Sequence, residues 1–102
     1  MDVYKIIITS KAQSDLAECV SFVLNASKEA AQKLANDIYS SIKALETFPE
    51  RNAIFEMPRS YPFTIRKLII NARYVALYST EGKNVVVHRI LDARRNLENL
   101  IL

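Results

Sequence analysis

Residues 74–92 read YVALYSTEGKNVVVHRILD, and the reading of this stretch decides the fold. Tyr74 to Ser79 and Val85 to Leu91 are runs rich in β-branched and aromatic residues, which suit a pleated, packed surface and predict two strands. Between them Glu81-Gly82-Lys83-Asn84 places the chain's one glycine where a tight turn calls for a positive φ. Strands joined by so short a turn pair antiparallel. Phe63 to Ile70 is a third run of the same kind just upstream.

Outward from this core, Tyr4 to Thr9 predicts a strand with too many consecutive apolar residues for an edge, so it is expected inside the sheet. Ser10-Lys11-Ala12-Gln13 has the form of a capping box, and Ala12, Leu16, Cys19, Val20 and Val23 then recur at helical spacing to about Leu24. Ser27 is placed to cap a second helix with Ala31, Leu34, Ile38, Ile42 and Leu45 on one stripe, ending before Phe48-Pro49. The short connection between the helices predicts an antiparallel hairpin. Glu50 to Pro62 is the longest irregular connection, and Asp92 is placed to cap a short final helix carrying Leu97, Leu100 and Ile101. The expected class is α+β, in the order β-α-α-β-β-β-α, with the helical hairpin on one face of a small, mostly antiparallel sheet. All of residues 1–102 are expected to form a single domain.

Composition narrows the function. Half the residues are hydrophobic and a quarter charged, a globular balance. No secretory signal is recognisable, and no stretch approaches the about 18 apolar residues that span a bilayer. A single cysteine, Cys19, excludes an internal disulfide and fits a reducing cytoplasm. With Cys19 and His88 as the only soft ligands, no metal site is expected, and no cofactor motif or glycine-rich phosphate loop is present. His88 is read as having a structural or surface role, Cys19 as a small core side chain.

Charge is unevenly distributed. Arg51 onward holds 9 basic and 4 acidic residues, a balance of +5, against 5 and 7 before it. Such a surface concentrates an anionic partner, although a solvated basic face has the same composition. The informative residues are Arg66, Arg73, Arg89, Arg94 and Arg95, whose planar, permanently charged forks suit phosphate and carboxylate. They are the candidate target-binding set.

The start Tyr4-Lys5-Ile6 through Ser10-Lys11-Ala12-Gln13-Ser14-Asp15-Leu16, the helix end Leu45 with Phe48-Pro49, the pair Tyr74 and Tyr78, and the tail Val85, Val87, Arg89-Ile90-Leu91-Asp92 with Arg94-Arg95-Asn96 together resemble RelE/ParE toxins of type II toxin-antitoxin systems. The resemblance spans essentially the whole chain. It implies the same order of elements, a cytoplasmic growth-arresting toxin and a cognate ParD- or RelB-like antitoxin. RelE-like members cleave messenger RNA on the ribosome, and ParE-like members are associated with poisoning of DNA gyrase. RelE-like nucleases carry an arginine and a tyrosine where this chain has Val75 and Ile101, and another nuclease branch ends in His-Tyr where this chain has Leu100-Ile101-Leu102. The tail looks closer to the ParE branch, which commonly has a histidine at the place of Asp92.

A gyrase-binding toxin is therefore the first expectation. The alternatives are a ribosome-dependent endoribonuclease, in which Arg66, Arg89, Arg94 or Arg95 would stabilise the cyclising phosphate, and a non-toxic binding module of the same fold. Cationic groups alone stabilise charge but move no proton at neutral pH. Leu97, Leu100, Ile101 and Leu102 are the candidate antitoxin-binding cluster, since a toxin of this size must offer an apolar groove to its partner.

Overall fold

Thr9 both ends the first strand and starts the first helix. Its backbone is extended, with φ −63° and ψ 159°, so its hydroxyl reaches forward to accept the Ala12 amide at 3.1 Å. The cap therefore lies one residue before the expected Ser10, which is already helical. Ser27 caps the second helix as expected, accepting the Ala30 amide at 3.1 Å. The computed structural model describes residues 3–95 and 97–102. Met1, Asp2 and Asn96, the last of which closes the arginine motif, lie outside the described residues.

The elements are β1 (Lys5–Ile8), α1 (Ser10–Leu24), α2 (Lys28–Lys43), β2 (Arg66–Ile70), β3 (Tyr74–Glu81) and β4 (Asn84–Asp92). Short 3-10 turns at Ala44–Glu46 and Pro49–Arg51 follow α2. The strands form one sheet in the order β1-β4-β3-β2, with β1 parallel to β4 and the other pairs antiparallel. This is the predicted α+β fold of a helical hairpin on a mostly antiparallel sheet. The first strand is placed differently from expectation: β1 is an edge. Its isoleucines alternate, Ile6 and Ile8 packing under the helices while Ile7 is exposed. On its outer side the Tyr4 amide donates to the Glu46 carbonyl at 2.8 Å.

The main core lies between the helices and the sheet, where Leu34, Ile38, Ile42 and Leu45 meet Tyr74, Ala76, Tyr78, Val85 and Val87. Ile38 is 0% exposed, and Lys28, Lys33 and Lys43 face solvent on the opposite side of α2. The opposite face of the sheet is not bare. Val75, Leu77 and Leu91 pack there against Ile65 and Leu100, with Phe55, Met57, Phe63, Leu97 and Leu102 around them. Consequently β3 is buried on both faces from Tyr74 to Ser79, and its run from Tyr74 to Tyr78 does not alternate between apolar and polar residues.

This second core explains two departures from expectation. The strand predicted from Phe63 begins only at Arg66, because Phe63 turns out of the ladder to stack on the His88 ring, with centroids 5.2 Å apart. No helix follows Asp92 among the described residues. Its carboxylate accepts the Arg94 amide two residues on, at 2.9 Å, which draws the backbone into a turn in competition with helix. Leu100 is thus buried on the sheet while Ile101 beside it is 46% exposed, a division that a shared helical stripe would not give.

The turns carry positive φ where the strands reverse. Gly82 (φ 61°) serves the β3–β4 hairpin, and the β2–β3 turn uses Asn71 (φ 54°) and Ala72 (φ 55°), closed by the Arg73 amide on the Ile70 carbonyl at 3.2 Å. In β4 the register slips, Leu77 facing Arg89 and Tyr78 facing Val87, so His88 is an inserted bulge residue.

Replacing Ile38 by Ala removes a fully buried side chain at the centre of the helix–sheet core. A loss of about 2–5 kcal/mol in unfolding free energy is expected by chemical denaturation, with the fold retained.

Candidate functional site

Helical periodicity puts Asp15, Glu18, Cys19 and Phe22 on one face of α1, next to the stripe that enters the core. This face overlooks the end of the sheet where β3 begins and β4 finishes, and between them lies a cleft of about 260 Å³. Cys19, Tyr74 and Ile90 line it, with Arg73, Arg94, Arg95 and Asp92 on the sheet side. Phe22 stands at its α1 side with 71% of its surface exposed.

Three of the five candidate arginines thus converge. Arg73, which leaves the β2–β3 turn, lies with its guanidinium 5.3 Å from the Tyr74 ring centroid and donates to Asp92 at 3.4 Å. Arg94 holds the same carboxylate through its Nη2 and Nε, at 2.9 and 3.2 Å. These bonds and that of the Arg94 amide hold the Asp92 carboxyl far below the usual carboxylate range, so it is ionised at neutral pH. The Arg95 guanidinium makes no hydrogen bond among the described residues and is exposed. The rim on this side therefore has three guanidinium groups around a single carboxylate.

The other two arginines do not join them. Arg89 turns to α1 and forms a two-pronged pair with Asp15, Nε to Oδ2 at 2.7 Å and Nη2 to Oδ1 at 3.1 Å. The Asp15 hydrogen bonds raise the Arg89 pKa further. Asp15 also accepts the Ile90 amide at 3.0 Å, and Arg89 Nη1 donates to the Ile101 carbonyl at 2.6 Å. Arg66 lies at the far end of β2, where it donates to the Asn52 carbonyl at 2.7 Å. Asn52 in turn donates to the Tyr78 hydroxyl, which donates to the Pro49 carbonyl at 2.5 Å, so Arg66 pins the irregular connection to the sheet.

The apolar tail candidates are also divided. Leu97, Leu100 and Leu102 pack in the chain's own second core, and Ile101 remains exposed. Val75, at the position that the nuclease comparison singles out, is buried on the same face and does not line the cleft. Burial first, then the nearby Asp15 charge, push the Cys19 thiol pKa up, which keeps it protonated and a poor nucleophile. Among the described residues, no group of three His, Cys, Asp or Glu side chains is arranged to hold a metal. Nor, among the described residues, is any helix long and apolar enough to cross a membrane.

The sequence reading overlooked Asp15, Glu18, Phe22, Tyr74 and Ile90 as parts of a site. A signal existed for Phe22. It falls on the 15-18-19-22 spacing beside the core stripe, where an aromatic has no place in the helix–sheet interior. Nothing local marks Asp15, whose partner is 74 residues away.

The comparisons with known proteins agree with this geometry. The family model described as "ParE toxin of type II toxin-antitoxin system, parDE" matches residues 6–97. Among solved structures, the chain is similar to one titled "Chromosomal ParDE TA system from P. aeruginosa", at 25% identity and a TM-score of 0.70, over 88% of this chain and 96% of that one. No curated protein matches.

Arg89 beside the cleft and His88 on the other face of the sheet each lead to a measurable outcome. Arg89→Met strands the Asp15 carboxylate in a largely buried position and should cost about 3 kcal/mol, while Asp15→Leu combined with Arg89→Met should recover most of it, as measured by urea unfolding. His88 shares a 2.8 Å hydrogen bond with Ser79, and burial pulls its pKa below the ordinary 6.5, with Glu81 opposing weakly. The unfolded chain then binds the proton more readily than the folded one, so this contribution to stability is complete above pH 6.5 and is lost as pH falls through the lower folded value. His88→Gln should flatten the stability–pH curve in that acid window.

Proposed function

The chain belongs to the ParE toxin family of type II toxin-antitoxin systems, and from that premise we propose that it arrests growth by binding DNA gyrase in the cytoplasm, without catalysis, and is neutralised by a cognate ParD-like antitoxin. The observation that carries the reading is the convergence of Arg73, Arg94 and Arg95 at one end of the sheet, beside an open cleft. Arg73 and Arg94 are oriented by Asp92, and Arg95 is available to an incoming acidic group. Arg89 and Arg66 serve this surface indirectly, by holding α1, the tail and the irregular connection in place. Of the tail residues, exposed Ile101 is the one offered to the antitoxin directly, and Leu97, Leu100 and Leu102 support it from below.

The chemistry of the site also speaks for binding over cleavage. His88, the one histidine, is stacked on Phe63 and bonded to Ser79 on the second face of the sheet, away from the arginine cleft. Cys19 is held protonated, and the carboxylate among the arginines is kept ionised by two of them. A nuclease would need a group able to take and return a proton near neutral pH, whereas the groups that converge on the sheet side of the cleft are arginines, with Glu18 on the α1 wall opposite.

Expression of the chain should arrest growth, and Arg94→Ala combined with Arg95→Ala should relieve the arrest while leaving the unfolding midpoint within a few degrees of the parent. Purified chain should inhibit gyrase supercoiling, and primer extension on messages after induction should reveal no new ends. Discrete cuts within codons that vanish in the Arg95→Ala variant would replace gyrase by the ribosome. Absence of any arrest would leave a binding module of the same fold.

A further inference from the structure

The cleft between α1 and the sheet end has two kinds of wall, and together they specify an occupant. Its floor is apolar or weakly polar, formed by Cys19, Tyr74 and Ile90, and Phe22 stands above it 71% exposed. An aromatic so exposed beside a hollow of about 260 Å³ leaves apolar surface in water that a partner's side chain would cover. The volume suits one large aliphatic or aromatic side chain and not a whole folded surface. On one side the rim is cationic. Asp92 already balances one charge of the Arg73 and Arg94 pair, and Arg95 adds another that is not engaged by a described side chain. The opposite rim, on α1, carries Glu18 and Asp15, the latter already paired with Arg89.

We propose that this cleft receives an apolar anchor residue of a partner polypeptide, flanked by carboxylates that meet Arg95 and Arg94. Resting on the toxin-antitoxin reading above, the partner is the antitoxin. Neutralisation then follows from occupancy, since the anchor buries the arginines that the target would contact. A bare phosphate chain satisfies the arginines but leaves Phe22 and the floor in water. A purely apolar segment fills the floor but leaves the excess positive charge of the arginine rim unmatched. The acidic, anchor-bearing polypeptide is the occupant that satisfies both walls.

The test is selection of a displayed library of random twelve-residue peptides on the purified full chain, followed by titration of the synthetic winner. Selected peptides should share a large apolar residue within a few positions of Asp or Glu. The winner should bind about ten-fold more weakly to Phe22→Ser and to Arg95→Glu, and unchanged to Lys28→Glu on the far side of α2. Phe22 and Arg95 are exposed, so neither variant should lose the fold, and circular dichroism melts verify that. Peptides without acidic residues, or binding indifferent to Phe22→Ser, overturn the proposal. So does a twelve-nucleotide single-stranded DNA that binds more tightly than the winner and loses nothing to Phe22→Ser. Growth arrest is scored separately. A chain that arrests growth yet selects no such peptide defeats the cleft proposal alone, and one that selects the peptide without arresting growth defeats the toxin reading while the docking site stands.

Discussion

The ion pair between Asp15 and Arg89 is the constraint on which the rest of the architecture depends. It joins the first helix to the last strand, and through the Ile90 amide and the Ile101 carbonyl it also ties the strand backbone and the tail. Both side chains are largely withdrawn from solvent, so each charge has lost most of its hydration and depends on the other. Such a pair adds little net stability compared with well-packed apolar residues. Its effect is geometric, because a two-pronged guanidinium–carboxylate contact tolerates little rotation and so fixes where α1 crosses β4. The cleft beside it inherits its width from that crossing.

The sheet is finished on both faces by dissimilar means. Regular helices cover one side, whereas an irregular connection and an irregular tail cover the other, held by particular polar contacts. Arg66 and Asn52 secure the connection, and the Tyr61 hydroxyl accepts the Leu102 amide at 3.1 Å. His88 belongs to the same arrangement, since the bulge that places its ring beneath Phe63 also brings Ser79 within hydrogen-bonding distance. A polar pair is thereby satisfied where it would otherwise be costly.

Most of the fold was legible because its signals are periodic. The apolar stripe from Ala31 through Ile42 on α2, continued by Leu45 in the 3-10 turn that follows, and the paired runs around Gly82 follow from side-chain direction alone, and both occur where expected. Less legible was anything that depends on a distant partner. The isoleucines of β1 look like an interior strand because a run of one residue type conceals which members face in. The tail looks helical because leucine spacing is compatible with a helix, and the Asp92 turn and the second core decide otherwise. The arginines were recognisable as a set, but their sorting was not. Charge composition carries no information about which guanidinium already has a carboxylate, and that is what separates Arg89 from Arg95.

The parallel pairing of β1 with β4 has a further consequence, for the order of events during synthesis. The first strand emerges early, yet its partner is the last strand, and the Asp15–Arg89 contact closes a loop across 74 residues. Long-range closure of this kind raises the contact order and slows folding, while the α1–α2 hairpin and the β2–β3–β4 meander can form from local contacts. The arginine rim is drawn from the β2–β3 turn and from residues beyond β4, and its opposite wall from α1. A nascent chain therefore has no assembled arginine surface until residues past Asp92 have been made and β1 and α1 have met β4. The N-terminal strand spends that interval as an unpaired apolar segment, a period in which a chaperone or a newly made partner can engage the chain before the finished surface exists.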